Sequence, residues 1–134
     1  MADIFDSDKR KEIMSAVRSK NSVAEKIVFS YLRKMNIYFQ KHYTKVIGKP
    51  DLAIPSKKKA IFIDGDYWHG RYPEKVTDSV FWNEKISKNI ARDKLVNKTL
   101  DEIGWHSIRF WESDIKRKST QEVILKLIEN FLAN

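Results

Sequence analysis

Apolar residues recur along this chain in two rhythms. Over residues 23–35 they fall at Val23, Ile27, Tyr31, Leu32 and Met35, a spacing that predicts a helix with one buried face. Ser22-Val23-Ala24-Glu25 stands at its head. A hydroxyl at N-cap with a carboxylate three residues on is a capping box, and the helix is expected to end near Asn36. Ahead of it, residues 8–18 read as a short basic helix with Ile13, Met14 and Val17 on one side. A longer helix is predicted from about Asn83 to Ile103 and ends at Gly104, a good C-terminal cap. A second capping box, Ser119 to Glu122, opens a final helix carrying Val123, Leu125, Leu127, Ile128 and Phe131.

Between the helices the pattern changes. Residues 37–43 are rich in aromatic side chains, residues 50–55 form a short apolar stretch between two prolines, and residues 60–65 are a continuous apolar run closed by Asp64-Gly65. The last suits a central, buried strand. Ile47-Gly48 and residues 56–59 read as the turns between them, and residues 105–111 form a fourth strand of alternating character. The predicted order is α-α-β-β-β-α-β-α. Strands that meander and then cross over through a helix give one α/β domain over residues 1–134, a mixed central sheet flanked by helices.

Charge adds a partner class. The net charge is +8, and all of the excess lies in residues 1–60, which hold 14 Lys/Arg against 6 Asp/Glu, while residues 61–134 hold 12 of each. Such a surface attracts polyanions, nucleic acid first; the plainer reading is a solubilising surface. The absence of Cys excludes a disulfide scaffold, a thiolate zinc site and a Cys nucleophile. No apolar run approaches the ~18 residues of a membrane span, and the N-terminal stretch lacks the apolar segment of a secretory signal. A cytoplasmic protein with no membrane partner is expected.

The candidate chemistry lies at two strand ends. Asp51 opens one strand and Asp64 closes the next; in an antiparallel hairpin those ends lie close together. Two oxygen-rich points near a basic surface suit a Mg²⁺ phosphodiesterase, because the hard cation takes oxygen ligands and keeps several waters. Turn-forming, strand-capping aspartates are the alternative. Tyr67-Trp68-His69 follows at once. A histidine there can serve as general base or orient a water, and the aromatics can stack on bases or wedge between them; the alternative is a loop that plugs the core.

Gly48-Lys49-Pro50-Asp51, then residues 61–70 (Ile-Phe-Ile-Asp-Gly-Asp-Tyr-Trp-His-Gly), then Phe81-Trp82-Asn83-Glu84-Lys85-Ile86 with Asn89 and Arg92-Asp93, then Gly104-Trp105 and Trp111-Glu112, occur in one order and at close spacing. With residues 14–18, Asn21-Ser22 and Glu25 they resemble the very short patch repair (Vsr) endonucleases over about residues 8–115. The resemblance implies a restriction-endonuclease-like variant of the PD-(D/E)XK nuclease fold. It further implies a Mg²⁺-dependent endonuclease that nicks one strand of duplex DNA beside a T·G mismatch. By the same resemblance Asp51 is the main metal-binding carboxylate, Ile63 offers its backbone carbonyl to the metal, His69 activates or positions the attacking water, and Glu25 supports the water network. Glu25 can cap its helix and do this together. Phe62 and Asp64 stand where the superfamily's usual acid and lysine would be, so Asp64 enters as a further catalytic candidate and His69 as the base.

For recognition, the resemblance implies that Tyr67, Trp68 and Met14 intrude into the stack at the mismatch. The basic segment 1–20, with Arg18 and Lys20, would contact phosphates. Many members hold a structural zinc through Cys and His; here those places carry Asp66, Arg71, Pro73 and Ser113. No structural zinc is expected, and the loop from 66 to 82 is expected to be held by packing of Tyr72, Phe81 and Trp82. A monomer working with mismatch-repair proteins in a prokaryote or phage completes the expectation. Two alternatives stand beside it: a less selective nickase of a restriction or defence system, and a catalytically decayed module that binds mismatched DNA.

Overall fold

A computed structural model describes residues 22–66 and 80–134. The basic segment with Met14, Arg18 and Lys20, and the run with Tyr67, Trp68, His69 and Tyr72, lie outside the described residues, as do the side chains of Phe81 and Trp82.

Helix α1 spans Val23–Lys34. Ser22 is extended, and its Oγ accepts the Glu25 N–H at 3.2 Å, satisfying one of the free donors of the first turn. The buried face differs from the one expected. Ala24, Glu25, Val28, Phe29 and Leu32 are buried, whereas Val23 and Met35 are 60% and 45% exposed. The row 24, 28, 32 is as regular as 23, 27, 31 and lies one position along. Phe29 anchors it by stacking on Phe39, with ring centroids 5.2 Å apart.

Of the expected strand over 37–43 only Gln40–Lys41 pairs, as β1. His42, just past its last residue, takes a left-handed backbone (φ 51°). The chain returns as β2, Leu52–Ile54, fully buried, and stops at Pro55, which opens a short 3₁₀ turn. β3, Lys59–Asp64, follows. Helix α2, Val80–Glu102, starts about three residues before the expected point and crosses over to β4, His106–Trp111. The sheet order is β1-β2-β3-β4. Its first two pairings are antiparallel and β3–β4 is parallel, as the mixed-sheet reading predicts.

The sheet's pleat sorts its side chains into two cores. Leu52, Ile54, Ile61 and Phe110 pack with α1 and with the last helix; Ala60 and Phe62 face Val96 and Leu100 of α2. After β4 comes a five-residue helix that the sequence pattern did not reveal, α3 at Glu112–Lys116, then α4 at Lys118–Ala133. Ser119 lies inside α4, and the capping residue, Arg117, makes no side-chain cap bond, so the second capping box does not form as expected. Instead Thr120 Oγ1 donates to the Asp114 carbonyl at 2.6 Å and Gln121 Nε2 to the Ile115 carbonyl at 2.9 Å. These bonds satisfy carbonyls that a helix end leaves open. At the far end of α4, Lys57 Nζ donates to the Leu132 carbonyl at 2.9 Å and Lys59 Nζ to the Phe131 carbonyl. Two of the three turn lysines thus close a helix C-terminus, where cations are favoured.

Candidate functional site

Antiparallel pairing of β2 with β3 brings the entry to β2 beside the exit from β3. The last paired residues are Leu52 and Ile61, so Asp51 lies just beyond the ladder, alongside the end of β3. Its Oδ2 accepts the Ile63 N–H at 2.6 Å. A residue's N–H and C=O leave a strand on the same side, so the Ile63 carbonyl also faces the Asp51 side, past the end of β2. Ile63 therefore enters the site through its main chain.

Glu25, in the first turn of α1, is only 5% exposed. Its N–H serves the Ser22 cap, while its carboxylate pairs with His42 Nε2. The capping and active-site readings of this residue use different atoms. His42 also donates its backbone N–H to the Asp51 carbonyl at 2.7 Å. Asp64, buried at the end of β3, is held by Arg109 of β4: Nη1 lies 3.0 Å from Oδ1 and 3.2 Å from Oδ2. Arg109 is itself fixed from several directions. Its Nε donates to Asn97 Oδ1 at 2.7 Å, its guanidinium lies 4.1 Å from the Phe62 ring centroid, and Asp93 Oδ1 is 3.6 Å from Nη1.

These groups share one electrostatic environment. Burial pushes the Asp51 carboxyl up to about 7; the Ile63 N–H opposes this, the charges of Glu25 and Asp64 add to it, and His42 reduces it. A half-buried carboxylate beside two others favours a bound proton or a bound cation. Among the described residues no group of three or more His, Cys, Asp or Glu is placed to hold a metal alone. Mg²⁺ is commonly bound by one or two carboxylates, with water and substrate phosphate in its other positions. Asp51 Oδ1 and the Ile63 carbonyl supply hard oxygen donors of that kind. A cleft of about 210 Å³ opens beside Asp64 between α2 and β4. A larger groove, about 560 Å³, lies along Trp105, His106 and Ser107, toward the start of β4 and at the opposite end of the sheet from Asp51.

Asp66 stands at the start of the segment that leads to His69. Its carboxylate accepts the Ser113 N–H at 3.1 Å and pairs with Ser113 Oγ. The bond to the Ser113 N–H caps α3, which has no side-chain cap from its own N-cap residue. Two of the positions compared above with zinc-binding places are thus tied directly to each other.

Asp51, Ile63, Glu25 and Asp64 are brought to one end of the sheet, whereas Met14, Arg18, Lys20, Tyr67, Trp68 and His69 lie outside the described residues. Sequence reasoning missed His42, Arg109 and Asn97. Arg109 sits in register with Phe62 across the parallel pair, a signal readable only once β3 and β4 are aligned. His42 carried no periodic signal at all.

Comparison with known proteins identifies the family. Residues 2–75 match the family described as DNA mismatch endonuclease Vsr. The chain is 34% identical over 125 residues to the type II nicking enzyme V.NmeAIP of Neisseria meningitidis serogroup A, covering 89% of this chain and 88% of the relative. It is 36% identical over 115 residues to the type II nicking enzyme V.HpaIIP of Haemophilus parainfluenzae, covering 81% of each. It is 31% identical over 138 residues to the DNA mismatch endonuclease Vsr of Escherichia coli K12, covering 98% of this chain and 88% of that one. With its mixed sheet and its acidic sheet end, the chain belongs to the Vsr DNA mismatch endonuclease family.

Proposed function

We propose that this protein is a Mg²⁺-dependent DNA endonuclease that nicks one strand of a duplex at a T·G mismatch. The observation that carries the reading is Asp51. It is half-buried at the open end of the β2–β3 pair, held by the Ile63 N–H at 2.6 Å and flanked electrostatically by Glu25 and Asp64. Relatives whose names denote nicking enzymes and a mismatch endonuclease support the reaction class.

In this reading the Asp51 carboxylate and the Ile63 carbonyl would hold the cation. When bound, Mg²⁺ lowers the pKa of a coordinated water and offsets charge that builds on the phosphate. His69 takes the proton from the attacking water, the work of a neutral imidazole. Glu25, immobilised by His42 and by its helix, orients water through its carboxylate. Arg109 neutralises Asp64 and so limits repulsion of the phosphate. Tyr67, Trp68 and Met14 wedge at the mismatch, where stacking is already weak and opening costs less than at a normal pair. One active site acting as a monomer yields a nick, and the basic N-terminal segment supplies phosphate contacts.

The test is Asp51→Asn, an isosteric change that removes the charge. Nicking should fall by at least about 100-fold and DNA binding in EDTA should persist. Nicking by the variant at the wild-type rate would refute the assignment. A second reading keeps the nicking chemistry and drops the mismatch preference; it is favoured by the relatives named only as type II nicking enzymes.

A further inference from the structure

His42 is tied to two of the site's three acids, to Glu25 by its side chain and to Asp51 by its main chain. Its Nε2 donates to Glu25 Oε2, and its backbone N–H donates to the Asp51 carbonyl at 2.7 Å. The imidazole also lies edge-on to Phe29 of α1, with ring centroids 5.9 Å apart. The backbone at His42 is left-handed, φ 51°, a region that non-glycine residues enter uncommonly and that a fold must hold in place. That conformation follows the last residue of β1, and the main chain stays bonded to the returning segment through His42 and Tyr43. Glu25 is almost wholly buried on a helix that belongs to the other layer of the domain. A carboxylate in that setting requires a hydrogen-bond partner, and among the described residues the histidine provides it.

We infer that His42 is a positioning residue for strand cleavage: it holds the Glu25 carboxylate of α1 at a fixed place relative to Asp51 of the sheet. The inference rests on the function proposed above. His42 acts through Glu25 and does not touch the scissile phosphate. Its backbone bond fixes residue 42 against Asp51, and its ring spans from there to the helix. Helix and sheet are separate elements, so the spacing of their two acids depends on this link.

Two substitutions separate the role of the ring from that of the backbone. The amide nitrogen of Gln reaches about where Nε2 does, whereas the shorter Asn reaches only about to Nδ1. Asn tolerates the left-handed conformation better than most residues. Single-turnover nicking of a T·G duplex should therefore fall by about 10–100-fold in His42→Asn, with KM changed less than about threefold. His42→Gln should recover most of the rate. His42→Asn placed on Glu25→Gln should cost little beyond Glu25→Gln alone, since one residue acts through the other.

If the backbone conformation were all that mattered, Asn would outperform Gln in both rate and melting temperature, and that ranking would overturn the inference. Multiplicative losses in the double variant, or a wild-type rate in His42→Asn, would overturn it as well. Wild-type protein that fails to nick any duplex with Mg²⁺ would instead remove the function on which it rests. Should His42→Asn fail to fold, His42→Gln decides: a rate near wild type supports the inference, and a rate as low as Glu25→Gln overturns it.

Discussion

Asp51, the proposed metal-binding carboxylate, sits where its surroundings oppose its charge. Its carboxyl is raised to about 7, chiefly by burial, against about 3.9 in an unfolded chain. Between those values the folded protein binds more protons than the unfolded one, so stability falls as pH rises. The contribution of the protonated carboxyl is fully present below about pH 4 and is lost as pH rises through about 7. Its ceiling is about 4 kcal/mol. Urea denaturation in EDTA should show the wild type losing stability from pH 5 to pH 8. Asp51→Asn should be the more stable protein at pH 8 and no more stable at pH 4. A wild type equally stable at both would show that Asp51 is not strained by its surroundings. Arg109 gives a second residue-scale prediction. Arg109→Met removes the guanidinium from Asp64, which is only 7% exposed, and should cost about 3 kcal/mol of unfolding free energy. Asp64→Asn in the same protein should restore part of that loss, which a denaturation cycle of the four proteins would reveal.

At the scale of elements, the turn between β1 and β2 is fitted closely to α2. A Cβ on Gly48 would lie 2.5 Å from Val96 Cγ1 and 3.2 Å from the Phe62 ring, and its φ is +86°. Gly104 has a similar φ, +83°, with nothing within 4 Å. Gly104→Ala should therefore cost about 1 kcal/mol, the backbone penalty alone. Gly48→Ala should cost about 2–4 kcal/mol, because crowding is added; thermal melts of the two variants compare them directly. The sequence makes some of these elements legible and not others. β3 stands out because it is buried on both faces and reads as a continuous apolar run. β1 was overestimated, since aromatic content marks packing as readily as pairing: Phe39 stacks on Phe29, and the ladder stops after Lys41. The buried face of α1 was displaced by one position, because Val23 and Ile27 offer the same spacing as Ala24 and Val28 and only tertiary contacts choose between them. The Ser119 box was overridden when Arg117, not Ser119, became the junction between α3 and α4.

Over the whole molecule, the order of strands and helices sets the site. A meander followed by one crossover brings the start of β2 and the end of β3 together and lays α1 across the same end. Asp51, Asp64 and Ile63 were legible for that reason, since their placement follows from hairpin topology and from a motif pattern spread over most of the chain. His42 and Arg109 were not, because they act across elements and belong to no local pattern. Charge was legible as a total but not by location. Lys57 and Lys59, counted in the basic half, are spent on the C-terminus of α4, so the attraction for DNA must come from the other basic residues. Among the described residues no helix is long and apolar enough to cross a membrane.

The central claim, selective nicking at a mismatch, is tested most directly with one pair of end-labelled duplexes that differ by a single T·G in place of T·A. Each is incubated with the protein in Mg²⁺ or in EDTA. The account predicts a single nick on the T-bearing strand of the mismatched duplex, dependent on Mg²⁺ and absent from the matched one. Equal cutting of both duplexes, or tight binding with no cutting of either, would contradict it.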